Sequence, residues 1–112
     1  MKRGEIYYAN LDPTIGTEIK KKRPVIIISN NASNKASTTL TILPITSNVT
    51  SVYPFEVELS INDSGVPKHS KIQCNQIRTI SKLRINTSCI GYVDKKIIEK
   101  IKNALALHLG FN

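Results

Sequence analysis

Lys22-Arg23-Pro24-Val25-Ile26-Ile27-Ile28-Ser29 decides how this chain folds. Successive side chains of a strand point to opposite faces, so a half-buried strand alternates apolar with polar residues. Val25-Ile26-Ile27-Ile28 does not alternate, and its β-branched side chains favour extended backbone. The reading is a central strand over 24–29, covered on both faces. Pro24 at its entrance lacks an amide donor and holds Arg23 in an extended conformation.

Outward from this strand, runs rich in Ile, Val, Thr and Tyr alternate with turn residues, which predicts further strands over 5–10, 39–44, 55–59, 70–79 and 88–92. Phe55-Glu56-Val57-Glu58-Leu59 alternates cleanly, so one face should be buried and the other wet. The 70–79 stretch is long and carries Lys71, Gln73 and Asn75, so it is expected to bend sharply or split. A single helix closes the chain, with Asp94 as its N-cap and Gly110 as the residue that ends it. Ile97, Ile98, Ile101, Ala104, Leu105 and Leu109 form a stripe about 140° wide, opposite Lys95, Lys96, Glu99, Lys100 and Lys102. The expected fold is mainly β: a small, curved antiparallel barrel of about six to seven strands with the C-terminal helix packed on it. Leu107 and Phe111 fall off the stripe and imply a second packing partner.

The 112 residues are expected to form one domain, 1–112, with the hydrophobic fraction (40%) and charged fraction (21%) of an ordinary globule. The formal net charge of +8 favours a polyanionic partner, of which RNA or DNA is the usual case. No apolar run reaches the roughly 18 residues of a membrane span, and Met1-Lys2-Arg3-Gly4-Glu5 lacks the apolar stretch of a signal peptide. Cys74 and Cys89 stand far apart, which suits a reducing compartment and argues against a zinc site. The expected location is the cytoplasm, away from any membrane.

No glycine-rich phosphate loop, HExxH motif or metal-spaced cluster of His, Cys and carboxylates is present, so neither cofactor nor metal is expected. No serine stands in a nucleophile-elbow context. What remains is two long connections, 11–23 and 46–54, meeting the central strand. Arg23 ends the first, where a planar fork of donors on a rigid element suits a phosphate. Thr46 follows the apolar run Leu43-Pro44-Ile45, and in a small barrel the two residues can share a rim.

Several stretches together resemble the MazF/PemK/Kid family of toxin endoribonucleases. They are Lys2-Arg3-Gly4-Glu5-Ile6-Tyr7-Tyr8-Ala9-Asn10-Leu11-Asp12-Pro13, then Gly16-Thr17-Glu18 followed by Lys22-Arg23-Pro24-Val25-Ile26-Ile27-Ile28-Ser29-Asn30. Pro44-Ile45-Thr46-Ser47, Tyr53-Pro54-Phe55-Glu56-Val57 and Gln76-Ile77-Arg78-Thr79-Ile80 with Lys82 complete the series, in order along nearly the whole chain. The resemblance implies an SH3-like barrel assembled as a homodimer that cuts single-stranded messenger RNA at short sequences. It also implies an acidic, MazE-like antitoxin whose extended segment covers the RNA groove. The family's essential Arg and Thr fall on Arg23 and Thr46, and its loop Glu on Glu18.

RNA carries its own nucleophile, the 2′-OH, so such an enzyme positions it, moves two protons and neutralises the phosphorane. Arg23 would clamp the phosphate and act as the acid, and Thr46 would hold a nonbridging oxygen or orient Arg23. The products expected are a 2′,3′-cyclic phosphate and a 5′-hydroxyl, without a metal. Arginine is protonated at any working pH, which leaves Glu18, a shifted Arg23 or water as the base. Lys20, Lys21, Lys22, Lys68, Lys71 and Arg78 are candidate RNA-backbone contacts. Ser47 and Gln76 lie in the matching motifs, and His69 is a candidate substrate contact. Asn48, Ser51 and Tyr53 can read or stack unpaired bases, whereas His108 belongs to helix packing. The alternatives are a non-catalytic, CcdB-like topoisomerase poison or a plain RNA-binding barrel, neither of which needs the Arg23–Thr46 pair.

Overall fold

The computed structural model describes residues 1–13, 15–18 and 22–111. Among them the strands are β1 (Glu5–Asn10), β2 (Lys22–Ile27), β3 (Thr39–Thr46), β4 (Glu56–Leu59), β5 (Ser70–Gln73), β6 (Arg78–Ser81) and β7 (Gly91–Tyr92). Two α-helices join them, α1 (Asn31–Ala36) and α2 (Lys95–Leu109). The antiparallel sheet runs β4-β5-β3-β2-β1-β7, with β6 pairing β3. β3 organises the curl. Its first half pairs β6, from Thr39↔Ser81 to Ile42↔Arg78, and its end pairs β5, Ile45↔Ile72 and Thr46↔Lys71. The expected 70–79 strand therefore splits, because a 3₁₀ turn over Cys74–Gln76 redirects the chain between two partners of one strand.

The central strand is buried on both faces, as its lack of alternation requires. Ile26 joins Ile6, Leu43, Ile45, Val57 and Ile72 beneath Ile97, Ile101 and Ala104 of α2. Val25 and Ile27 face the other way, onto Tyr7, Ala9, Leu40, Ile42, Ile80 and Ile85. α2 begins where its cap dictates, with the Asp94 carboxylate accepting the Ile97 amide at 3.1 Å. It ends at Gly110, whose φ of 75° only glycine adopts without strain.

Several expectations shift. α1 was not foreseen: it has six residues and no apolar stripe, and is built instead on polar bonds. The Asn30 side chain caps it at the Ser33 amide (2.8 Å), and buried Asn34 bonds the Ser29 backbone and hydroxyl. The central strand starts two residues early, at Lys22, and the last strand shrinks to Gly91–Tyr92. Leu109 is exposed despite lying on the helical stripe. Glu56, expected on a wet face, is buried. Among the described residues, no helix is long and apolar enough to cross a membrane.

Candidate active site

The β2–β3 register decides what Arg23 faces. Val25 pairs Pro44, Ile26 pairs Leu43 and Ile27 pairs Ile42. The ladder ends at Val25↔Pro44, and the same register extended by two residues points Arg23 toward Thr46, both within their strands. Directly opposed side chains on neighbouring strands share a face, with Cβ atoms about 5 Å apart. On its other edge Arg23 pairs Ala9 of β1, which is fully buried. Arg23 is half-buried at the sheet's entrance. The Thr46 hydroxyl accepts the Asn48 amide at 3.2 Å, which leaves its own proton to donate.

Arg23, though not Thr46, lines a cleft of about 270 Å³ together with Tyr8, Lys22, Ser47, Lys68 and Ser70, among others. Three cations meet there, and among the described residues no carboxylate lines it. The cleft suits an anionic strand with an aromatic edge, and four residues expected at the site converge on it. Tyr8 was not singled out from sequence, although its pairing with Pro24 follows directly once β1 is set beside the central strand.

Other expected residues are placed elsewhere. The Glu18 carboxylate accepts the Ile15 amide and so folds back on its own turn, and the side chain is exposed. Lys20 and Lys21 lie outside the described residues. Asn48 is exposed, with its carboxamide oxygen held by the Thr50 hydroxyl at 3.0 Å. His69 meets Glu58 at 2.6 Å on the surface. Arg78 donates to the Leu11 carbonyl at 3.2 Å and so braces the start of the first long connection. Gln76 is half-buried in the 3₁₀ turn, beside the buried, unpartnered amide oxygens of Gln73 and Asn75. His108 is exposed, its ring 6.2 Å from Phe55.

Lys71 requires a correction. It is only 7% exposed, and its ammonium is 3.0 Å from Glu56 and 2.6 Å from the Ser51 carbonyl. A cation engaged in this way braces the second long connection rather than meeting a phosphate. Glu56 was missed as its partner because strand alternation gives the face of a residue and not what lies opposite it.

Residues 2–109 match the family of PemK-like, MazF-like toxins of type II toxin–antitoxin systems. The chain is 40% identical over 114 residues to endoribonuclease MazF9 of Mycobacterium tuberculosis, covering 97% of this chain and 96% of that protein. It is 36% identical over 110 residues to endoribonuclease EndoA of Bacillus subtilis, covering 97% and 94%. Among solved structures, a mycobacterial endoribonuclease in complex with its cognate antitoxin superposes with a TM-score of 0.81 at 25% identity, covering 100% of this chain and 97% of that one. The family match over residues 2–109, together with 40% identity over nearly the full length, shows that this chain belongs to the PemK-like, MazF-like toxins of type II toxin–antitoxin systems.

Proposed function

We propose that this chain is an endoribonuclease toxin that cuts single-stranded messenger RNA by attack of the 2′-OH on the adjacent phosphate. The observation that carries this reading is that Arg23 lines a cationic cleft, and the β2–β3 register, extended two residues past Val25↔Pro44, supports Thr46 as its partner. The guanidinium donates paired hydrogen bonds to the phosphate as charge builds on its oxygens. Thr46 donates a hydrogen bond from its hydroxyl to a nonbridging oxygen. Glu18 takes the 2′-OH proton once its turn releases the carboxylate from the Ile15 amide and brings it to the phosphate. As the P–O5′ bond breaks, the Arg23 guanidinium gives the departing 5′-oxygen a proton and is reprotonated from solvent, so the products are a 2′,3′-cyclic phosphate and a 5′-hydroxyl. No step requires a metal, because the nucleophile comes from the substrate itself.

Lys20, Lys21, Lys22 and Lys68 contact the RNA backbone, while Ser47, Asn48, His69, Gln76 and Arg78 border the path of the strand. The net charge of +8 favours both the RNA and an acidic antitoxin segment laid over the same groove. The antitoxin-bound relative supports that second partner. Leu107, Leu109 and Phe111 are 55%, 46% and 69% exposed at the end of α2, an apolar surface suited to a homodimer. The site of action is the cytoplasm.

The test is incubation with a long single-stranded RNA in excess EDTA, followed by chemical mapping of the new ends. Cleavage with cyclic-phosphate and 5′-hydroxyl ends is expected from the wild type. Arg23→Ala should lower the rate by about a hundredfold or more with an unchanged circular dichroism spectrum. Intact RNA with the wild type, or full activity in Arg23→Ala, contradicts the reading.

A further inference from the structure

The loop 47–55 leaves the site directly from Thr46 and is fixed from beneath by one buried ion pair. Lys71 is Thr46's partner across the β3–β5 ladder, so its backbone is tied to the strand that carries the site. Its ammonium donates to the Ser51 carbonyl at 2.6 Å, lies 3.0 Å from Glu56 and stands 5.7 Å from the centre of the Tyr53 ring. Glu56 in turn accepts the Tyr53 amide at 3.0 Å. Two points of the loop, residues 51 and 53, thus hang on a Lys–Glu pair whose members are 7% and 8% exposed.

Taking two charges out of water is costly, and apolar residues of similar size commonly hold a fold as well as a buried ion pair does. What apolar residues cannot supply is a directional bond to a carbonyl and to an amide. The part of the molecule that benefits is the loop. It carries Tyr53, which is 53% exposed and whose ring is stacked on Phe55 at 5.5 Å and 11°. An exposed aromatic ring, tied through Lys71 to the strand that carries Thr46, is what an unpaired base stacks on.

On the endoribonuclease reading above, we propose that Lys71 and Glu56 are positioning residues for base recognition. They hold the loop so that Tyr53 presents a stacking platform to a base flanking the scissile phosphate. Neither touches the RNA. Stacking sets how strongly the flanking base is held, and the exposed polar groups of Ser47 and Asn48 on the same loop favour one base over another.

The experiment compares wild type, Tyr53→Leu, the double variant Lys71→Met/Glu56→Leu and the triple combination. Each is assayed on a randomised single-stranded RNA pool with the cut ends sequenced, and kcat and KM are measured on one preferred oligonucleotide. The double variant should melt within a few degrees of wild type, since an apolar pair replaces an ionic one. It should nonetheless raise KM about tenfold, leave kcat within about twofold and flatten the base preference beside the cut. Tyr53→Leu should do the same, and the triple variant should lose no more than either.

A folded double variant with wild-type KM and cut sites overturns the proposal, as does a loss that falls on kcat alone. Tyr53 is exposed, so Tyr53→Leu tests the platform even where the double variant fails to fold; an unaltered cut-site profile there is decisive against it. Absence of cleavage by the wild type overturns the endoribonuclease reading itself, and is distinguished by that control.

Discussion

The Cys74 thiol reports how tightly the helix-side face of the sheet is closed. It is fully buried, and burial first, then the nearby Glu56 carboxylate, pushes its pKa from 9.0 up to about 12. Tyr7, on the opposite face, is raised from 10.0 to about 12 by burial and by its hydroxyl bond to Glu5 at 3.0 Å. Both groups hold their protons more tightly folded than unfolded. Their stabilising effect is therefore complete below pH 9, and it is lost progressively as pH rises toward 12. Urea midpoints measured from pH 8 to 11 should fall with pH, and Cys74→Ala should flatten that slope; an equal slope in the variant assigns the pH dependence elsewhere. At this scale the sequence exposes some roles and hides others. Arg23 is legible because Pro24 fixes its backbone and a rigid strand follows. The role of Lys71 is hidden, because a lysine in a polar strand reads as surface, and its ladder partner is Glu58 while its ammonium reaches diagonally to Glu56.

Among elements, β7 shows how a close crossing limits a strand. A Cβ built on Gly91 would lie 1.7 Å from the Ser64 carbonyl oxygen, and one on Gly65 would lie 2.6 Å from the Ile90 carbonyl oxygen. The 64–65 loop and β7 thus touch backbone to backbone, which leaves room for two paired residues where five were expected. Gly91→Ala forces those backbones apart and should destabilise by roughly 3 kcal/mol or more, a fall of about 10–20 °C in Tm by calorimetry. A loss under 5 °C would mean that the crossing is loose. Apolar patterning located β1, the central strand and α2 because each buries a continuous face. It could not locate α1, whose capping and side-chain bonds replace an apolar stripe. Nor could it place the break in 70–79, because β3 offers one edge to two partners and that is a property of the sheet rather than of either segment.

For the whole molecule, two apolar clusters on opposite faces of β1, β2 and β3 make the central strands a rigid plank. The site sits where that plank ends, at the entrance of β2 and the exit of β3. On the proposed reading, rigid elements supply its clamp, while the loops beside it supply cations and base contacts. On the same proposed reading Arg23 and Thr46, 23 residues apart in sequence, are brought together by the antiparallel return of β3 on β2, whose paired ladder ends at Val25↔Pro44. Their residue types were legible in the chain, and their opposition required the register. The claim that they act as one unit is tested most directly by a double-mutant cycle on kcat/KM for RNA cleavage, using Arg23→Ala, Thr46→Val and the pair. Each single change should cost about a hundredfold, and the double variant should fall within about threefold of the worse single one. Losses that multiply in the double variant, or wild-type activity in Thr46→Val, would contradict it.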